Sequence, residues 1–221
     1  MFKTDGPIFS ALSRLLDIII VNVIWMLCCF PVITIGPATC AMYGVYFKMR
    51  EKKDDSVVAQ FFLAFRNSFR QGLLGSLLLI AAGAVLFLDY RVVYFDATFS
   101  MPFMKGLFWV VAVAACAYFS WLFPLIAKFE NSFRGMLRNA RLMTVRHLPI
   151  TVIITALNLL PWLMLYYMPA FTLETMLLFW LLMGFALLAY INSLLLYRVF
   201  YQYFDPEYIA KLKKAQEELY K

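Results

Sequence analysis

The chain predicts an all-α fold, a polytopic transmembrane helix bundle, and three observations carry the prediction. It is 64% hydrophobic and 15% charged, against roughly 45 to 50% and about 25% for a soluble domain. Residues 12–30, 72–94, 106–127, 148–167 and 176–197 each supply the about 20 mostly apolar positions a crossing helix needs. Of the 20 Lys and Arg, all but Arg91 and Lys105 fall in 1–14, 48–71, 128–147 and 198–221, which alternate with those stretches. Such alternation is the pattern of basic loops kept on the cytoplasmic side.

The first helix, 12–30, has no small-residue cleavage site behind its apolar run, so it reads as a retained helix rather than a signal peptide. The next segment, 32–48, opens with the breakers Pro31, Gly36 and Pro37 and leaves 37–48 as clean helix. That is roughly 18 Å against a hydrocarbon core of roughly 30 Å, which suits a thin crossing or a re-entrant piece. Charge favours the crossing. Lys3 and Arg14 put the N-terminus inside, and Lys48, Arg50, Lys52 and Lys53 put the following loop inside too. The expectation is six spanning helices with both termini cytoplasmic, or five if 37–48 re-enters. The outer connections, 31–37, 89–105 and 168–175, are too small for an external domain.

Two inner connections read as amphipathic cytoplasmic helices. Ser56 is placed to cap one in which Val58, Phe61, Phe62, Phe65 and Phe69 recur at helical spacing, with Arg66 and Arg70 on a polar flank. The other starts at Ser132 and carries Arg134, Arg138 and Arg141 as a stripe beside Phe133, Leu137 and Ala140. These five arginines are the candidate partner-binding residues. An interfacial helix with snorkelling arginines is the plainer reading. Helix, basic helix, helix recurs at 37–94 and 104–167, which suggests a weak internal duplication. The chain divides into a transmembrane domain, 1–204, and a cytoplasmic amphipathic C-terminal helix, 205–221. Asp205 and Pro206 open that helix, and Tyr208, Leu212, Ala215 and Leu219 form its stripe.

Polar groups inside the apolar stretches are few: Asp17, Asn22, Ser76, Ser120, Asn158 and Asn192. Arg14, one turn before Asp17, offers a local ion pair, and the asparagines suit hydrogen bonds between helices. If they converge instead, Asp17, Asn22, Asn158 and Asn192 form a candidate intramembrane polar site. Chemistry beyond that finds no support. Cys28, Cys29, Cys40 and Cys116 form no C-x-x-C pair, and His147 is the one histidine, so the cysteines read as packing residues. No nucleophile with a base, H-E-x-x-H helix or glycine-rich phosphate loop is present, so neither catalysis, metal nor cofactor is expected. The net charge of +7 belongs to the membrane surface, not to nucleic acid.

The run from Leu12 to Met49 resembles the opening of the YesL family of bacterial membrane proteins, domain of unknown function family 624. There an Asn in the first helix precedes Pro-x-x-Thr-x-Gly-x-x-x-x-Ala and a Tyr. Here those positions are Asn22, Pro31, Thr34, Gly36, Ala41 and Tyr43. Aromatics with basic residues before the next long helix, Phe61, Phe62, Phe65, Arg66, Asn67, Phe69, Arg70 and Gln71, are similar to a second, weaker feature. The resemblance implies a protein of the bacterial cytoplasmic membrane. The family's association with sugar ABC transporters, carbohydrate-degrading enzymes and sensor kinases implies an accessory role in carbohydrate uptake or sensing. It implies no catalytic residue. The expected function is therefore a non-catalytic accessory or scaffold protein with the lipid bilayer and an ABC transporter permease as partners. The alternatives are a small transporter or channel, or a modulator of a sensor kinase. The sequence names neither the sugar, the partner nor the oligomeric state.

Overall fold

The structure, a computed structural model, describes residues 7–51, 56–95, 102–167 and 177–204, with helices throughout and no strand among them. In order they are α1 (Pro7–Cys29), α2 (Ile35–Arg50), α3 (Val57–Phe95), α4 (Pro102–Lys128), α5 (Phe133–Arg146) and α6 (Leu148–Tyr167), with α7 over Leu177–Tyr203. The C-terminal helix expected at 205–221 and most of the outer connections at 89–105 and 168–175 lie outside the described residues. Four helices among the described residues are long and apolar enough to cross a membrane: Leu12–Cys29, Val57–Phe95, Pro102–Lys128 and Leu177–Tyr203. The pair α5 and α6, bent by 103°, makes a fifth when taken as one broken span.

The short segment is the centre of the bundle. α2 has 16 residues, about 24 Å of helix, and from Gly36 to Phe47 every residue except Thr39 is buried. It reaches that depth because its neighbours touch it through small residues. The Gly36 N–H donates to Ser76 Oγ at 2.7 Å, and a Cβ built on Gly36 would lie 2.5 Å from that oxygen and nearer still to the Gly72 carbonyl. Further along, a Cβ on Gly44 would stand 3.0 Å from that of Ala64, so α2 runs antiparallel to the first half of α3 at glycine distance throughout. The turn into α2 is closed by Thr34, whose hydroxyl lies 2.5 Å from the Cys28 carbonyl and 2.6 Å from that of Pro31. Trp25 Nε1 donates to Thr39 Oγ1 at 3.2 Å and ties α1 to α2.

One of the two expectations about the inner helices changes. The first amphipathic helix is not a separate interfacial element: it is the opening of α3, a single helix of 39 residues. At about 1.5 Å per residue it is roughly 58 Å long, and even at a 40° tilt about a dozen residues project beyond a 30 Å core. Of its apolar series Phe61 is buried and Phe65 half-buried, while Val58, Phe62 and Phe69 are exposed. The second amphipathic helix, α5, does stand alone. Ser132 Oγ accepts from the Gly135 N–H at 3.2 Å and caps it, Met136 and Ala140 face inward, and the bend at His147 hands the chain to α6. The two halves of the suggested duplication therefore differ in shape. Pro149, two residues past the bend, stands where the first half has Leu73, and proline removes the N–H that would continue the helix. The bend is held by Thr151, which donates at 3.0 Å toward the Thr144 and His147 carbonyls and accepts from Trp121 Nε1 at 2.9 Å.

Aromatic clusters mark both ends of α4. Lys105 lies 5.2 Å from the Tyr94 ring centroid, where Tyr90, Phe108 and Trp109 also gather. Lys128 lies 4.9 Å from that of Phe204 and 5.8 Å from that of Tyr197. The two lysines are separated by about 34 Å of helix, close to one hydrocarbon thickness, as expected of the aromatic girdles of a membrane protein.

Candidate functional site: buried asparagines and the arginine faces

Asn22 is fully buried and its amide serves the backbone of α7. Its Nδ2 donates to the Leu181 carbonyl at 2.7 Å and lies 3.4 Å from that of Trp180, while its Oδ1 accepts from the Ala186 N–H at 2.9 Å. These groups need a partner because α7 opens with a π turn, Trp180–Gly184, which breaks the regular ladder. A side-chain amide supplies one acceptor and two donors, which is what an interrupted helix in hydrocarbon requires.

The other two asparagines form a separate set. Asn192 Nδ2 donates to Asn158 Oδ1 at 2.8 Å, Asn158 Nδ2 to Ser120 Oγ at 2.8 Å, and Ser120 Oγ to the Cys116 carbonyl at 2.8 Å. Tyr43 on α2 lies beside Asn192. So the expected bonds between helices form, whereas the four residues of the polar site do not converge: Asn22 joins α1 to α7, and Asn158 and Asn192 join α4, α6 and α7. Asp17 stands apart, half-buried and facing the Tyr46 side of α2. Its ion pair with Arg14 does not form: Arg14 is exposed, and no salt bridge joins the two.

The pair that does form was not read from the sequence. Glu51 at the end of α2 and Lys128 at the end of α4 make the one salt bridge among the described residues, with both side chains nearly buried. They bound a polar cleft of about 340 Å³ together with Lys48, Asn67, Gln71 and Asn131. A basic last turn on each of α2 and α4 was the available signal, but side by side they would read as repelling. In the same cleft Gln71 Nε2 donates to the Asn131 carbonyl at 2.7 Å.

That last bond brings the two arginine sets to one end of the bundle. Arg70 precedes Gln71, and Arg134 follows Asn131 by three residues. Arg66, Arg70, Arg134, Arg138 and Arg141 are all exposed, and none is in an ion pair among the described residues. On α5 the arginines share their outward face with Val145, 69% exposed, and Leu142, 57% exposed. At the bend His147 Nε2 sits 2.9 Å from the Tyr203 hydroxyl. Burial, then the neighbouring Arg146, lowers the His147 pKa below the usual histidine value, so at neutral pH it adds no charge to this face.

Comparison with known proteins agrees with the sequence motif. A family model described as a protein of unknown function, DUF624, matches residues 18–90. The uncharacterized protein YteU of Bacillus subtilis (strain 168) is 24% identical over 155 residues, covering 67% of this chain and 68% of that protein. No solved structure matches. The matched stretch contains Asn22, which joins α1 to α7, together with the Thr34 turn and the Gly36 to Gly72 seam, which set α2 against α1 and α3. Over residues 18–90 the chain matches the DUF624 family model, in agreement with the resemblance drawn from its first helices.

Proposed function

We propose that this multi-pass membrane protein is a non-catalytic accessory or scaffold subunit of the bacterial cytoplasmic membrane that docks a cytoplasmic or membrane partner through its arginine faces. One observation carries the reading: five arginines from two separate helices stand exposed at one end of the bundle, in no ion pair among the described residues, with the Gln71 to Asn131 bond joining the two helices. The surface suits a partner bearing carboxylates. A carbohydrate ABC transporter permease is the first candidate, on the strength of the family association, and a membrane sensor kinase is the second. A transporter or channel built on Asn22, Asn158 and Asn192 is less well supported, because Asn22 is committed to the backbone of α7.

The test is charge-preserving. Lipid phosphates attract each cation by on the order of 1 kcal/mol whatever its shape, whereas bidentate carboxylate recognition needs the guanidinium fork. The triple variant Arg134→Lys, Arg138→Lys, Arg141→Lys is expected to insert normally and to lose its partner on mild-detergent co-purification from the native host. Recovery of the same partner at wild-type yield would show that α5 is an ordinary interfacial helix.

A further inference from the structure

The geometry points to a binding site for an uncharged membrane lipid of the diacylglycerol class in a cavity of about 450 Å³ enclosed by α1, α2, α3, α4, α6 and α7. The space equals the liquid volume of about fifteen waters, yet the lining is mainly apolar and contains no Asp, Glu, Lys, Arg or His. A charged headgroup entering it would find no counter-charge, at a cost that excludes it. The way in is lateral. Gly83 on α3 and Trp162 on α6 belong to the lining and are exposed, and their neighbours Val85 and Leu163 are exposed apolar side chains. The mouth therefore opens where hydrocarbon, not water, bathes the bundle.

Inside, two donors are left over. Asn158 spends one amide N–H on Ser120 and its carbonyl oxygen on Asn192, and its second N–H has no protein partner among the described residues. Thr39 accepts from Trp25, and its hydroxyl proton has none either. Two donors on an otherwise apolar wall match the ester carbonyls or free hydroxyl of a neutral lipid whose acyl chains run out through the lateral mouth into the bilayer. This reading does not depend on the docking face.

The experiment uses the full-length protein in phosphatidylcholine nanodiscs carrying trace diazirine-bearing diacylglycerol or, separately, phosphatidylglycerol with the same chains. Cross-linked peptides are identified by mass spectrometry. The diacylglycerol probe is expected to label the segments around Asn158 to Trp162 and Cys116 to Ser120 at least about tenfold more than the charged probe, whose headgroup finds no counter-charge in the cavity. Gly83→Phe plugs the mouth without a clash, since nothing lies within 4 Å of a Cβ there, and is expected to abolish that labelling. Asn158→Leu is expected to weaken the diacylglycerol labelling about threefold, the worth of one hydrogen bond in a membrane, without admitting the charged probe. Equal labelling by the two probes, or undiminished labelling in Gly83→Phe, overturns the proposal.

Discussion

Gly36→Leu is expected to destabilise the protein by at least about 3 kcal/mol, the upper end of overpacking costs. The added side chain has nowhere to go. Its first carbon already falls on the Gly72 carbonyl and 2.5 Å from Ser76 Oγ, and the obstacle on the α3 side is backbone. Relief requires α2 and α3 to separate, which breaks the Gly36 to Ser76 bond and opens the Gly44 to Ala64 contact beyond it. Gly83→Leu is the control, because a Cβ at Gly83 meets nothing within 4 Å. Thermal unfolding in detergent should show a large drop for the first variant and little change for the second. Equal melting of the Gly36 variant and wild type would mean that the seam is looser than described.

The second large effect is expected at Asn22. Asn22→Ala removes a donor to Leu181, a donor near Trp180 and the acceptor for Ala186 at once. Backbone groups of a π turn inside an apolar spanning helix cannot turn to water, so a loss of about 2 to 4 kcal/mol is expected, about 1 to 3 for each group left unsatisfied less what relaxation recovers. Asn22→Asp should be little better, because an ionised carboxylate keeps the acceptor but cannot donate. Hydrogen exchange localises the effect: protection should fall first across Trp180 to Ala186, far from the substitution in sequence. Uniform loss over the whole chain would argue that Asn22 acts through general packing instead.

These two positions also show how far the sequence could be read. Asn22 and Gly36 stood out as motif residues, and glycine beside proline at the head of a short helix implied close approach of another backbone. What periodicity could not supply was the partner. The π turn that Asn22 serves lies some 160 residues away in a segment that reads as an ordinary apolar helix, and no local spacing betrays it. The same limit explains α3. Its amphipathic opening and its spanning part have different compositions, so they read as two elements, yet nothing between Arg70 and Gly75 removes a backbone N–H and the helix runs on. On α5 the local signals sufficed: the Ser132 cap, the inward Ala140 and the outward arginines all sit where their spacing put them. Glu51 and Lys128 show the reverse case, a pair made by two helix ends that meet only in the folded bundle.

The docking face matters only if it lies in the cytoplasm, and the loop charges alone assign that side. Cysteine accessibility tests it directly. In a background with Cys28, Cys29, Cys40 and Cys116 replaced by alanine, single cysteines are placed at Ala97, Arg138 and Ala215 and exposed to a membrane-impermeant maleimide on intact spheroplasts. Position 97 is expected to label from outside, and positions 138 and 215 only after permeabilisation. Labelling of position 138 or 215 on intact cells would turn the arginine faces outward and contradict the account.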